Sequence, residues 1–102
     1  MASFELSPEA DADLDGIFDY TARLWSVEQG HKYLLQLNAC MEQVAAGKGQ
    51  PKNFSHIRPG LRSIRCQRHI IFFVQMDDMT ARVVAAFHEK MDLMTRIAER
   101  LL

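Results

Sequence analysis

Two arginines on one predicted strand, Arg62 and Arg65, and a histidine at the end of another, His88, have the clearest chemical potential in this sequence. Guanidinium groups stay protonated at physiological pH, so Arg62 and Arg65 could bind a phosphate or stabilise a developing charge but could not act as general acids. A histidine at a strand end could act as the general base toward a ribose hydroxyl. From its spacing alone we favour a structural interpretation of His88, in which it bonds a backbone carbonyl or caps the last helix.

Residues 47–76 form a basic stretch that holds six lysines and arginines without one acidic residue. Residues 1–45 instead carry eight acids against two cations, so the net charge of −1 hides a strong asymmetry. One edge of the predicted sheet should therefore be positive and attract an anionic partner, either nucleic acid or an acidic protein segment. We take Arg58, Arg62 and Arg65 as the core of this basic surface; a merely solvated face is the alternative.

The cysteines and tyrosines carry no predicted chemistry. Cys40 and Cys66 fall on a predicted helix and a predicted strand without metal-ligand spacing, and we favour reduced core residues over a disulfide. Tyr20 and Tyr33 both fall on predicted helices, so neither is expected to place a phenol at the sheet. With no phosphate-binding loop and no nucleophile motif in the chain, the sequence predicts neither a metal site nor a cofactor.

The fold is predicted to be organised around the apolar run at residues 69–76, which is too short for a globular helix and rich in Ile, Phe and Val. Such a run is typical of a strand buried on both faces. Residues 61–66 and 81–87 supply its neighbours, the latter across a turn at residues 77–80, which predicts an antiparallel meander. Alternating polarity over residues 2–6 indicates a further, first strand.

Two helices are predicted between the first strand and the meander. Ser7 and Pro8, followed by an acid, give an N-cap and a first helical residue, and a capping box at residues 26–29 begins a second helix close behind the first. Asp92 is predicted to cap a short final helix. The predicted architecture is β-αα-βββ-α, a single α+β domain over residues 1–102 with a helical hairpin packed on an antiparallel sheet.

Three large side chains flank the predicted hairpin turn: Leu24, Trp25 and Tyr33. Core packing is the simplest explanation for each of them singly, whereas the set could form an interaction groove. The polar loop at residues 47–60 is a second natural place for function. No apolar run is long enough for a membrane helix and the N-terminus lacks the features of a signal peptide, so we expect a cytoplasmic protein.

Four segments in this order resemble one known family: LSPEADADLDGIFDYTARLW, RPGLRSI, RHIIFF and FHEKMDL. Together they cover essentially the whole chain and are similar to the ParE toxins of the RelE/ParE superfamily of bacterial toxin–antitoxin modules. The resemblance implies the same β-αα-βββ fold. It also implies a toxin that inhibits DNA gyrase by binding, without catalytic residues of its own, and that a ParD-like antitoxin holds in a hetero-oligomer. Neither a membrane nor a specific nucleic-acid sequence is an expected partner.

The resemblance leaves two alternatives open. The RelE branch cleaves messenger RNA on the ribosome with lysines and arginines and usually a tyrosine or histidine near the end of the sheet. Here Arg62, Arg65 and His88 would take those roles, although the chain has Phe87 and no C-terminal tyrosine. A binding module without toxicity is the other alternative.

The preferred interpretation assigns two sets of contact residues. The predicted target-binding residues are Arg58, Arg62 and Arg65. The predicted antitoxin-binding residues are Leu24, Trp25 and Tyr33.

Overall fold

The computed structural model describes residues 3–76 and 80–102, and these form three helices and a five-stranded sheet. The predicted α+β fold of a helical hairpin, a meander and a final helix is confirmed. Among the described residues, no helix has the length and apolar character to span a membrane. The elements in chain order are β1 (Ser3–Leu6), α1 (Pro8–Leu24), α2 (Val27–Ala45), β2 (Lys52–Asn53), β3 (Leu61–Cys66), β4 (His69–Gln75), β5 (Thr80–His88) and α3 (Leu93–Arg100).

The sheet has the order β1-β5-β4-β3-β2, and its centre is the predicted antiparallel meander. The sheet as a whole is mixed rather than antiparallel as predicted, because β1 runs parallel to β5, with Leu6 opposite Val83. Alternating polarity alone does not indicate the direction of a strand. The predicted loop at residues 47–60 contains β2, which pairs with β3. Residues 77–79 of the predicted turn lie outside the described residues.

The helices begin where the sequence predicts, because each has a side chain that accepts a hydrogen bond from an amide in the first turn. Only Trp25 and Ser26 separate α1 from α2, which forces a tight antiparallel hairpin and leaves Trp25 at its tip. The three capping bonds are Ala10 N–H to Ser7 Oγ (3.1 Å), Gln29 N–H to Ser26 Oγ (3.0 Å) and Thr95 N–H to Asp92 Oδ1 (3.3 Å).

Strand β4 is buried on both faces, as predicted. Ile71 and Phe73 pack into the core beneath the hairpin, where Leu37 of α2 is fully buried. On the other face Phe72 packs with Ile97, which is fully buried on α3. Burial of one such side chain contributes about 1.5–3 kcal/mol, so α3 is held firmly although it is short.

A partly buried ion pair joins α1 to α3 across the edge of β5. Arg100 donates two hydrogen bonds to Asp13 at 3.0 and 3.1 Å, and a third to the carbonyl of Val84 at 3.0 Å. Asp13 also accepts the Ala86 N–H at 3.0 Å. Because the pairing with β1 stops at Val83, these contacts cover an edge that has no strand beside it. We call residues 84–88 the open edge of β5.

Cys40 and Cys66 form a disulfide, so the prediction of reduced core cysteines is wrong. The bond joins α2 to β3 with a Cα–Cα distance of 6.1 Å, which lies within the usual range for disulfides. The spacing in the sequence could not reveal it, because the two residues meet only when α2 packs across the sheet.

Candidate functional site

A groove of about 1060 Å³ crosses the open edge of β5 between α1 and α3. The residues that α1 contributes extend from Ala12 to Thr21, which corresponds to about 14 Å of helix, and Trp25 prolongs this wall beyond the end of α1. The sheet contributes Ala86, Phe87 and His88 between the two helical walls. The groove is therefore long enough to accept a short helix or an extended peptide segment.

The hairpin tip exposes large apolar side chains at one end of this groove. Trp25 is 76% exposed and Leu24 is 59% exposed, so the expectation of core packing is wrong for both. Trp25 lines the groove and also an adjoining cavity of about 380 Å³, whereas Leu24 lies beside them. Exposed apolar surface of this kind marks an interaction site.

Tyr33 brings a phenol to the end of the sheet, which contradicts the prediction that neither tyrosine would do so. Its Oη lies 2.6 Å from His69 Nδ1 and accepts the backbone N–H of Arg68 at 3.2 Å. The available signal was helical spacing: Tyr33 precedes the buried Leu37 by four residues and therefore lies on the sheet-facing side of α2. Tyr33 also lines the groove. Tyr20, in contrast, is 66% exposed on α1.

His69 and His88 lie opposite each other on β4 and β5, with their rings edge to face and their centroids 5.3 Å apart. His88 Nδ1 accepts the backbone N–H of Lys90 at 3.1 Å, so His88 does bond the backbone, although to an amide rather than a carbonyl. Burial lowers the pKa of His69 to about 4, aided by the charge of His88 and opposed by Glu89. Burial likewise raises the pKa of Tyr33. Both His69 and Tyr33 are therefore uncharged at neutral pH.

We expect the neutral state of His69 to make stability depend on pH. In the unfolded chain its pKa returns to 6.5, whereas in the folded chain it is about 4. The unfolded state therefore takes up the proton first, and stability that is present above pH 6.5 declines as the pH falls toward 4. The full difference in pKa would correspond to a loss of about 3 kcal/mol in the free energy of unfolding. Solvent screening of this half-exposed ring reduces the expected loss to about 1–2 kcal/mol.

Urea unfolding at pH 7 and pH 4.5 measures this effect. Because carboxylates also titrate in this range, the informative quantity is the difference between the wild type and His69→Gln. The variant should lose about 1–2 kcal/mol less over the same interval. An equal loss in both proteins would contradict the assignment.

The cations of the basic stretch do not form one surface. On β3, Arg62 shares the hairpin-facing side with Cys66, whereas Arg65 lies on the opposite side with Leu61. Arg65 forms an ion pair with Glu89, and Arg68 contacts the same carboxylate at 3.4 Å. An acid from beyond the basic stretch thus neutralises part of its charge.

The structure does not bring Arg62, Arg65 and His88 together. Arg62 lies four residues along the strands and two strands across from His88, a backbone separation of about 16 Å, and Arg65 is on the other face. Arg58 and Arg62 are exposed and have no side-chain partner among residues 3–76 and 80–102. That part of the chain also holds no cluster of three or more His, Cys, Asp or Glu residues arranged for a metal ion.

Comparison with known proteins shows similarity over nearly the whole chain. Residues 4–93 match the family described as ParE toxin of type II toxin-antitoxin system, parDE. Toxin ParE of Escherichia coli is 44% identical over 101 residues, which cover 99% of this chain and 98% of that protein. Toxin ParE1 of Mycobacterium tuberculosis strain H37Rv is 34% identical over 88 residues, which cover 86% of this chain and 90% of that protein.

The fold has a solved counterpart, described as the chromosomal ParDE TA system from P. aeruginosa. It superposes with a TM-score of 0.70 at 20% identity and covers 86% of this chain and 96% of that chain. At that identity the likeness supports the fold alone, whereas the sequence matches establish the family. The chain belongs to the ParE toxin family of type II toxin–antitoxin systems.

Proposed function

We propose that this toxin inhibits DNA gyrase by binding it, and that a ParD-like antitoxin neutralises the toxin by occupying the groove between α1 and α3. The observation that carries the first part is the match of residues 4–93 to the ParE family, because the resemblance to ParE toxins implies gyrase as the target. The groove and its exposed tryptophan support the second part.

The groove suits a partner segment that orders as it binds. Ordering a disordered segment costs several kcal/mol, so tight binding requires large apolar anchors as well as charge pairing. Trp25 and Tyr33 supply aromatic surface within the groove, whereas Leu24 is exposed at the hairpin tip but does not line the groove. Backbone pairing along residues 84–88 of β5 is not the proposed mode, because Asp13 and Arg100 already bond the Ala86 N–H and the Val84 carbonyl there.

The proposed target contact uses the cations Arg58, Arg62 and Arg65, of which Arg62 and Arg65 lie on opposite sides of β3. Arg58 and Arg62 are exposed, and exposed charges of one sign accelerate association with an anionic surface. Arg65 is exposed as well, although its ion pair with Glu89 reduces its net charge. The cations therefore contribute to recognition rather than to folding.

A supercoiling assay with purified gyrase tests the proposed activity directly. The isolated chain should inhibit supercoiling and leave ribosome-bound messenger RNA intact. The assay with ribosome-bound messenger RNA is needed because the phenol of Tyr33 and the imidazole of His69 are in contact. An RNA-cleaving toxin could use both groups. Cleavage of the messenger RNA at a fixed position within the codon would contradict the proposed gyrase inhibition and support the RelE-like alternative.

Removing two cations should disable the toxin without unfolding it. We expect the variant Arg62→Ala, Arg65→Ala to inhibit gyrase at least about tenfold more weakly than the wild type. The reason is that exposed charges accelerate association with the target and contribute little to stability. The matched control is Arg23→Ala, Lys90→Ala, which removes two exposed cations outside the proposed contact. Inhibition by the Arg62, Arg65 variant at the wild-type level, with normal antitoxin binding, would rule out this surface.

A further inference from the structure

We propose that His69 and His88 form an oxyanion-binding site in the groove, and that its natural occupant is a carboxylate of the peptide seated there. The identity of the peptide rests on the proposed function. The site itself stands on the geometry of the two rings and can be tested on the isolated chain.

The hydrogen bonds of the two rings determine which nitrogens carry protons. His88 Nδ1 accepts the Lys90 amide, so the neutral ring carries its proton on Nε2. The Tyr33 oxygen already accepts the Arg68 amide, and we assign its own proton to the bond with His69 Nδ1. This assignment places the proton of His69 on Nε2 as well, so that each ring has one N–H donor to offer.

The two Nε2 atoms have no protein partner among the described residues. Over residues 3–76 and 80–102, no buried side-chain nitrogen or oxygen lacks a hydrogen-bond partner. Both Nε2 atoms must therefore keep some contact with solvent, and both histidines line the groove. The ring centroids lie 5.3 Å apart, so the two rings are close enough for one anion with two oxygens to reach both.

The charge of the groove favours a carboxylate over a nucleic-acid backbone. The cations Arg68, Arg96 and Arg100 line it together with the acids Asp13 and Glu99, which leaves a single excess positive charge. Arg100 and Asp13 also neutralise each other's charge in a direct ion pair. A phosphodiester chain needs a series of cations to neutralise its phosphates, whereas one carboxylate matches two neutral N–H donors and one excess charge.

The test follows the imidazole NMR signals of the full-length chain at pH 7.5 as sodium acetate replaces sodium chloride at constant ionic strength. The chain has four histidines, and His31 and His56 are exposed and outside the groove, which makes them internal controls. We expect the His69 and His88 signals to shift together and saturate at millimolar acetate, while the two controls do not saturate.

Two substitutions refine the test. His88→Phe should weaken acetate binding, followed at His69, at least tenfold. His88→Gln keeps a side-chain N–H donor and should restore part of the affinity, which separates a lost hydrogen bond from a disturbed fold. The absence of a saturable shift at His69 and His88 in the wild type would overturn the site.

Two further probes identify the natural occupant. Inorganic phosphate should bind no more tightly than acetate, and a tenfold preference for phosphate would overturn the carboxylate assignment. The blocked peptide acetyl-Leu-Glu-Leu-amide should bind at least tenfold more tightly than its glutamine counterpart, and equal affinities would overturn the peptide assignment. Because these titrations need neither gyrase nor antitoxin, a failure of the proposed function would leave their outcome unchanged.

Discussion

Replacing Trp25 with alanine is expected to weaken antitoxin binding by about 2–3 kcal/mol, or roughly 30- to 150-fold in Kd. The indole is 76% exposed in the isolated chain and lines both the groove and the adjoining cavity. It therefore contributes little to folding and gains a large contact area when a partner covers it. The free energy of unfolding should change by less than about 0.5 kcal/mol.

Calorimetric titration of folded Trp25→Ala against the antitoxin measures this loss. Leu35→Ala is the matched control, because Leu35 is an apolar α2 residue that is 70% exposed and lies outside the groove lining. Gyrase inhibition by Trp25→Ala should be affected less than antitoxin binding, since the proposed target contact uses the basic surface. Wild-type affinity for the antitoxin would show that the groove binds through other residues.

Reduction of the Cys40–Cys66 disulfide should lower the free energy of unfolding by about 3 kcal/mol. The two cysteines are 26 residues apart, and the crosslink stabilises the fold by restricting the unfolded chain over that loop. Urea unfolding with and without a thiol reductant measures the effect. The double variant Cys40→Ser, Cys66→Ser is the control, because its unfolding should not respond to the reductant. Equal stability of the oxidised and reduced wild type would contradict a stabilising crosslink.

Local signals in the sequence predicted most of the fold. The hydroxyls of Ser7 and Ser26 and the carboxylate of Asp92 begin helices through bonds that span three residues. The apolar run of β4 likewise indicated burial on both faces without knowledge of its neighbours. Such features depend on nearby residues and on a fixed period, which a single sequence displays.

The features that could not be predicted all join distant segments. The disulfide, the contact of Tyr33 with His69 and the ion pair of Arg65 with Glu89 require knowledge of how the hairpin crosses the sheet and how the strands register. The candidate site likewise combines residues that local patterns indicated with contacts between distant segments that they did not. Sequence reasoning proposed Trp25 and Tyr33 for the groove, whereas the pairing of His69 with His88 emerged only from the register of β4 and β5.

The parallel pairing of β1 with β5 bears on when a newly made toxin can first be recognised. The ion pair of Glu5 with Arg82 spans 77 residues, and that of Asp13 with Arg100 spans 87. Contacts of such long range form late, because the chain must lose loop entropy before it gains their energy. The Asp13–Arg100 contact also fixes the two walls of the groove relative to each other. The groove therefore exists only when α1 and α3 are both docked against β5, so an antitoxin that occupies it would recognise the completed fold rather than any single segment of the chain.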